Sequence, residues 1–165
     1  MGTIKTTQSP EGIATVTISN PERFNAMQLS MWKALAQTMH DLSNDHTTRV
    51  VIIRGEGEKA FVSGADITEF ATLRETPEDV KAYDEAVLNA ENAISTCTKP
   101  VIAAISGICF GGGLGIALCC DLRLGSDTTR ICLPAAKLGL GYALHNIKRM
   151  QHVIATAHTY ELLLT

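Results

Sequence analysis

Phe61-Val62-Ser63-Gly64-Ala65-Asp66-Ile67 follows a β-branched run at residues 50–53, and Gly111-Gly112-Gly113-Leu114 follows a second apolar run at Val101–Ile105. Both segments have one layout: an extended apolar stretch, a turn of small residues, then a helical start. The first N–H groups of a helix have no intrahelical acceptor, and small residues around them let a ligand oxygen approach closely. Two such starts converging would form a two-donor pocket for a developing anion. Glycines in such places also serve close helix-to-sheet packing or a tight turn. Spacing alone leaves both readings open.

Ala14, Val16 and Ile18 alternate with threonines, which is the period of a half-buried strand, and Asn20-Pro21 ends it. Trp32, Leu35, Met39 and Leu42 recur at helical spacing and predict an amphipathic helix over 30–42. Thr76-Pro77-Glu78-Asp79 is a helix start: a Thr cap, a Pro at the first helical position and early acids. Val80, Tyr83, Val87, Ala90 and Ile94 give that helix one apolar face until Lys99-Pro100 stops it. Residues 122–124 read as a short strand, 134–137 as a turn or short helix, and 144–164 as helical. Strands alternating with helices predict an α/β fold in one domain over 1–165, with helices covering the sheet.

With 45% hydrophobic and 19% charged residues, the 165-residue chain is able to bury one sizeable core. A net charge of −3 argues against a nucleic-acid partner, which selects for excess Lys and Arg on one face. No run approaches the roughly 20 apolar residues of a membrane span, and the N-terminus has no secretory core region. Five cysteines without C-x-x-C spacing read as reduced core thiols, hence a cytoplasmic setting. The dinucleotide and P-loop fingerprints, the H-E-x-x-H zinc spacing and the G-x-S-x-G elbow are all missing, so no metal, permanently bound cofactor or Ser63 nucleophile is expected.

Phe61 to Ile67, Lys99-Pro100 through Ser106-Gly107, the Gly111-Gly112-Gly113 triplet and Cys120-Asp121-Leu122-Arg123 closely resemble the two signature blocks of the crotonase (enoyl-CoA hydratase/isomerase) superfamily. Asn20-Pro21, Asn25-Ala26-Met27, Pro134 and Leu138-Gly139 add to the resemblance, which covers essentially the whole chain. It implies a ββα spiral core and an acyl-CoA thioester as substrate, with coenzyme A entering as part of that substrate. Carried over by position, the oxyanion amides fall on Ser63 and Gly112. Ser63, Gly64, Ala65, Asp66 and Ile67 are implied as wall of the coenzyme A site, with Asp66 shaping the loop; Arg23 and Lys59 read equally as phosphate contacts or as ordinary solvated charges. The resemblance also implies homotrimers or hexamers; the family's C-terminal helical part is not among residues 1–165.

The departures from the family pattern are specific. Hydratases of the family carry one glutamate shortly after the glycine triplet and another after the proline that matches Pro134; here those positions are Gly115 and Ala135. Hydration needs carboxylates to activate water and deliver a proton. Tyr142 stands where some decarboxylating members place a tyrosine, and is equally read as a core aromatic with a satisfied hydroxyl. A pocket without acids suits decarboxylation, in which the substrate loses its own carboxylate. Two readings follow: an enzyme working through a thioester enolate (isomerase, decarboxylase or atypical hydratase), or a non-catalytic acyl-CoA-binding module.

Overall fold

The computed structural model describes residues 1–165, the side chain of Ala71 excepted. Strand β1 (Thr3–Gln8) runs antiparallel to β2 (Ile13–Ser19), whose Ala14, Val16 and Ile18 are fully buried. Their alternation puts all three on one face of the sheet. Helix α1 (Leu29–Asn44) lays Met31, Trp32, Leu35, Met39 and Leu42 onto that face. It begins one residue earlier than its periodicity predicts and ends two later, where Asp45 leaves helical geometry.

Three turns of one pattern follow. The first is β3 (Val50–Gly55), β4 (Ala60–Val62), the short α2 (Phe70–Leu73) and α3 (Pro77–Ser95). The second is β5 (Val101–Ile105), β6 (Ile108–Phe110) and α4 (Gly112–Cys119); the third is β7 (Leu122–Gly125), β8 (Arg130–Cys132) and α5 (Leu144–Leu164). In each turn the first strand joins a five-stranded sheet ordered β1-β2-β3-β5-β7, and the second joins a three-stranded sheet ordered β4-β6-β8. From β2 onward every pairing is parallel, so each return to a sheet needs a crossover. This is the ββα spiral of the crotonase fold.

Strand β6 stands between β5 and the glycine triplet, where sequence reading had the triplet follow β5 directly. With β4 and β8 it is only three residues long, too short for alternation to register. Helix α3 starts as its sequence predicts, with Thr76 accepting from the Asp79 N–H, the Asp79 carboxylate accepting from the Thr76 N–H, and Pro77 at the first position. Helix α4 is buried along Gly113–Cys119, as expected of a helix apolar all round. It can lie this close to β4 only because residue 113 is glycine: a methyl there would overlap the Val62 carbonyl oxygen. Helix α5 is kinked at Ala155, whose φ of 62° is left-handed.

All five cysteines are free, and burial pushes the thiols of Cys109 and Cys120 up to about 12, which leaves them unreactive near neutrality. Among the described residues no helix is long and apolar enough to cross a membrane.

Candidate active site

The loop after β4 is held by the loop after β2. Ser63 donates its N–H to Phe24 O at 3.0 Å and its hydroxyl to Arg23 O at 3.2 Å. Met27 donates to Gly64 O at 2.8 Å, and Asp66 N–H donates to Met27 O at 2.9 Å. Met27 and Ala65 thereby form a parallel bridge in which Met27 uses the flanking groups of residues 64 and 66. The N–H of Ala65 itself points the other way and has no protein acceptor among the described residues. The Phe24–Met27 strap is fixed by Asn25, buried at φ 57°, whose Nδ2 donates to Glu56 O and Ala60 O while its Oδ1 accepts from Asn20 N.

Opposite stands the start of α4. Gly111 N–H is bonded to Cys132 O, and Gly112, as the first helical residue, has no backbone acceptor for its own N–H. A Cβ built on Gly112 would stand 3.7 Å from Ala65 N, and one on Gly64 would stand 3.8 Å from Gly112 N. The two unengaged amides therefore border one small space. The expectation that the first donor is Ser63 is corrected here: its N–H is committed to Phe24, and the inward amide belongs to Ala65, two residues on.

These amides face a cavity of about 750 Å³ between α3, the 63–67 loop, the start of α4 and residues 133–146. Ser63, Gly64, Ala65, Ile67 and Gly112 lie on its wall, with Tyr142 and Ala135 also lining it. Asp66 does not. Its Oδ1 accepts from Thr68 N at 3.1 Å, Thr68 Oγ1 at 2.7 Å and Arg23 Nη1 at 3.2 Å, so it shapes the loop from behind. Burial raises the Asp66 pKa, but the bonds from Thr68 and the Arg23 charge together outweigh it and hold the carboxyl below its usual range. Arg23 is thus engaged within the protein, and Lys59 is not on the cavity wall.

Tyr142 projects a buried hydroxyl that finds no hydrogen-bond partner among the described residues. Burial above all, then the nearby Glu91 carboxylate, drive its phenol well above the ordinary value. Its reading as a core aromatic with a satisfied hydroxyl is therefore corrected.

Glu91 is the cavity residue that sequence reading missed. It is 1% exposed, on α3, and lines the same cavity. Its Oε1 accepts from Asn146 Nδ2 at 3.0 Å, and its Oε2 accepts from Arg149 Nη1 at 3.2 Å and contacts His145 Nε2 at 3.2 Å. The pocket is thus not free of acids, contrary to expectation. A signal was present: Glu91 lies four residues after Val87 and three before Ile94, which places a charge on the apolar face of the helix. A carboxylate there must be paired, since an uncompensated buried charge costs several kcal/mol.

Two smaller hollows lie elsewhere, one near Arg54 and Ser126 and one between α1 and α3 near His40. Among the described residues no group of three or more His, Cys, Asp or Glu could hold a metal.

Residues 8–165 match the family described as enoyl-CoA hydratase/isomerase. A solved enoyl-CoA hydratase/carnithine racemase from Magnetospirillum magneticum superposes with a TM-score of 0.95 at 42% identity, covering 99% of this chain and 61% of that one. A short-chain-enoyl-CoA hydratase of Clostridium acetobutylicum is 30% identical over 155 residues, 93% of this chain and 58% of the relative. An enoyl-CoA hydratase of Alternaria alternata is 39% identical over 129 residues, 78% of this chain and 41% of the relative. The chain thus spans between two fifths and three fifths of the length of these relatives. Spiral fold, paired small-residue loops and these matches agree: the chain belongs to the enoyl-CoA hydratase/isomerase family of the crotonase superfamily.

Proposed function

We propose that this protein is an enzyme acting on acyl-CoA thioesters, holding the thioester carbonyl oxygen between the amides of Ala65 and Gly112 while it turns negative. The observation that carries this reading is the pair of unengaged N–H groups bordering one space on the wall of a 750 Å³ cavity. Preorganised amides stabilise an oxyanion more than a neutral carbonyl, and each such donor is worth about 2.7–4 kcal/mol of barrier. Relatives named as enoyl-CoA hydratases support the substrate class. Coenzyme A enters with the substrate, and no resident cofactor is called for.

The reaction is an enolate-forming one: isomerisation, decarboxylation or an atypical hydration. With Gly115 and Ala135 at the family's glutamate positions, ordinary hydration lacks its usual carboxylates. Glu91 in the cavity favours proton transfer over base-free decarboxylation, which would instead draw on Tyr142. A mass-spectrometric screen of acyl-CoA thioesters, paired with a binding titration, tests the proposal. Turnover of an enoyl or malonyl-type thioester is expected. Tight binding with no turnover of any thioester would instead identify a non-catalytic acyl-CoA-binding module.

A further inference from the structure

Glu91 is a buried carboxylate whose two oxygens are unequally engaged. Oε2 faces both His145 Nε2 and Arg149 Nη1, whereas Oε1 accepts only from Asn146 Nδ2. A carboxylate oxygen has room for two donors, so Oε1 retains a lone pair. That oxygen lies 2.8 Å from where a side chain at Gly115 would begin, and the partnerless Tyr142 hydroxyl lies 3.6 Å from the same point. Gly115, the residue beside that carboxylate, is three residues beyond Gly112 on α4, a rise of roughly 4.5 Å along the helix. Amides and carboxylate line the same cavity, so a carbonyl oxygen seated on the amides leaves its neighbouring carbon in the volume that the carboxylate also borders.

We propose that Glu91 is the acid–base residue of this pocket, reaching the substrate through the gap left by the missing side chain at Gly115. The inference rests on the thioester reading above. Glu91 Oε1 takes a proton from the carbon next to the thioester carbonyl. The C–H electron pair becomes the C=C bond of the enolate, and the carbonyl π pair moves onto the oxygen held by Ala65 and Gly112. Glu91 then returns the proton to carbon, at the same position or along the acyl chain. Arg149, Asn146 and His145 hold and orient the carboxylate, while Tyr142 presents its hydroxyl to the same volume. A purely structural Glu91 would only pin α5 to α3, and the two roles differ in what a relocated carboxylate can do.

The test is deuterium exchange into the α-position of butyryl-CoA in heavy water, followed by proton NMR alongside a binding titration. The intact protein exchanges the α-protons; Glu91→Gln slows exchange by about 100-fold or more while butyryl-CoA still binds. Combining Glu91→Ala with Gly115→Glu brings a carboxylate to the same gap from α4 and restores part of the exchange, which a lost structural pin would not do. Should the Gln variant fail to fold, 2-bromobutyryl-CoA decides the matter on the unaltered protein. The carboxylate displaces bromide and leaves an ester that peptide mass spectrometry maps to Glu91. Exchange by Glu91→Gln at the parent rate, or an ester on another residue, overturns the role of Glu91 and leaves the thioester reading standing. An unaltered protein that binds butyryl-CoA without exchange also removes that role; one that neither binds nor exchanges any thioester overturns the thioester reading itself.

Discussion

Substituting Gly113 by alanine puts the amide pocket under a defined load. The added Cβ would overlap the Val62 carbonyl oxygen and lie 2.8 Å from Val62 Cβ and 2.9 Å from Val62 C. All of these atoms belong to β4 or sit at its root, so no flexible side-chain end can yield. Ordinary carbon contacts are about 3.5–4.0 Å, so the start of α4 must retreat from β4 by roughly 1 Å. Alanine gains about 0.5–1 kcal/mol of helix propensity over glycine, and overpacking costs about 1–3 kcal/mol. The expected balance is a loss of roughly 1–2 kcal/mol, seen as a Tm lower by about 2–8 °C for a chain of this size. Moving Gly112 by that distance relative to Ala65 also lowers α-proton exchange of butyryl-CoA, by on the order of a hundredfold. Gly141→Ala is the control for stability, since nothing lies within 4 Å of its Cβ position. Differential scanning calorimetry and the exchange assay read the two effects. A Gly113→Ala protein as stable as Gly141→Ala, with exchange at the parent rate, would refute both the packing argument and the placement of the amide.

Tyr142→Phe removes a buried hydroxyl that has no partner, so Tm is expected to hold or to rise by the equivalent of about 1 kcal/mol while thioester turnover falls; a lower Tm would mean that the hydroxyl is satisfied. For Asp66, the folded pKa lies below the usual value, so its stabilisation is fully present above about pH 4–5 and is lost as the pH falls through the depressed folded value. Asp66→Asn should therefore be less stable than the parent in urea at pH 7, with the gap shrinking toward pH 3; a gap unchanged on acidification would contradict the assignment. Thr76→Ala breaks the reciprocal cap of α3 and should cost about 1 kcal/mol, or roughly 2–4 °C in Tm, with butyryl-CoA affinity measured in parallel to show whether the start of α3 also shapes the cavity mouth.

What could be read directly from the chain was whatever a short window of residues decides. The stripe of Trp32, Leu35, Met39 and Leu42 is a matter of helical period, the start of α3 lies within Thr76 to Asp79, and the β-branched run at 50–53 declares a buried strand. The signature blocks around Ser63 and Gly112 carried the family by resemblance. Strands β4, β6 and β8 escaped notice because three residues exist as a strand only through their neighbours. The inward amide was assigned to Ser63 because spacing does not reveal which N–H is already taken; Phe24 and Met27, some forty residues earlier, take those of Ser63 and Asp66 and leave that of Ala65. Glu91 reached the cavity unnoticed for the same reason. Its partners Asn146 and Arg149 lie 55 and 58 residues away, and Gly115, on another helix, leaves beside its Oε1 the room that a side chain would take. Propensity and period act locally, so the chain alone was enough for the longer helices, for strands β2, β3, β5 and β7 and for the family, but not for β1, an exposed edge strand whose single apolar residue, Ile4, gives no period to read. Tertiary structure alone decided which amides are free and which acid enters the pocket, because hydrogen-bond satisfaction and excluded volume are settled only between distant segments.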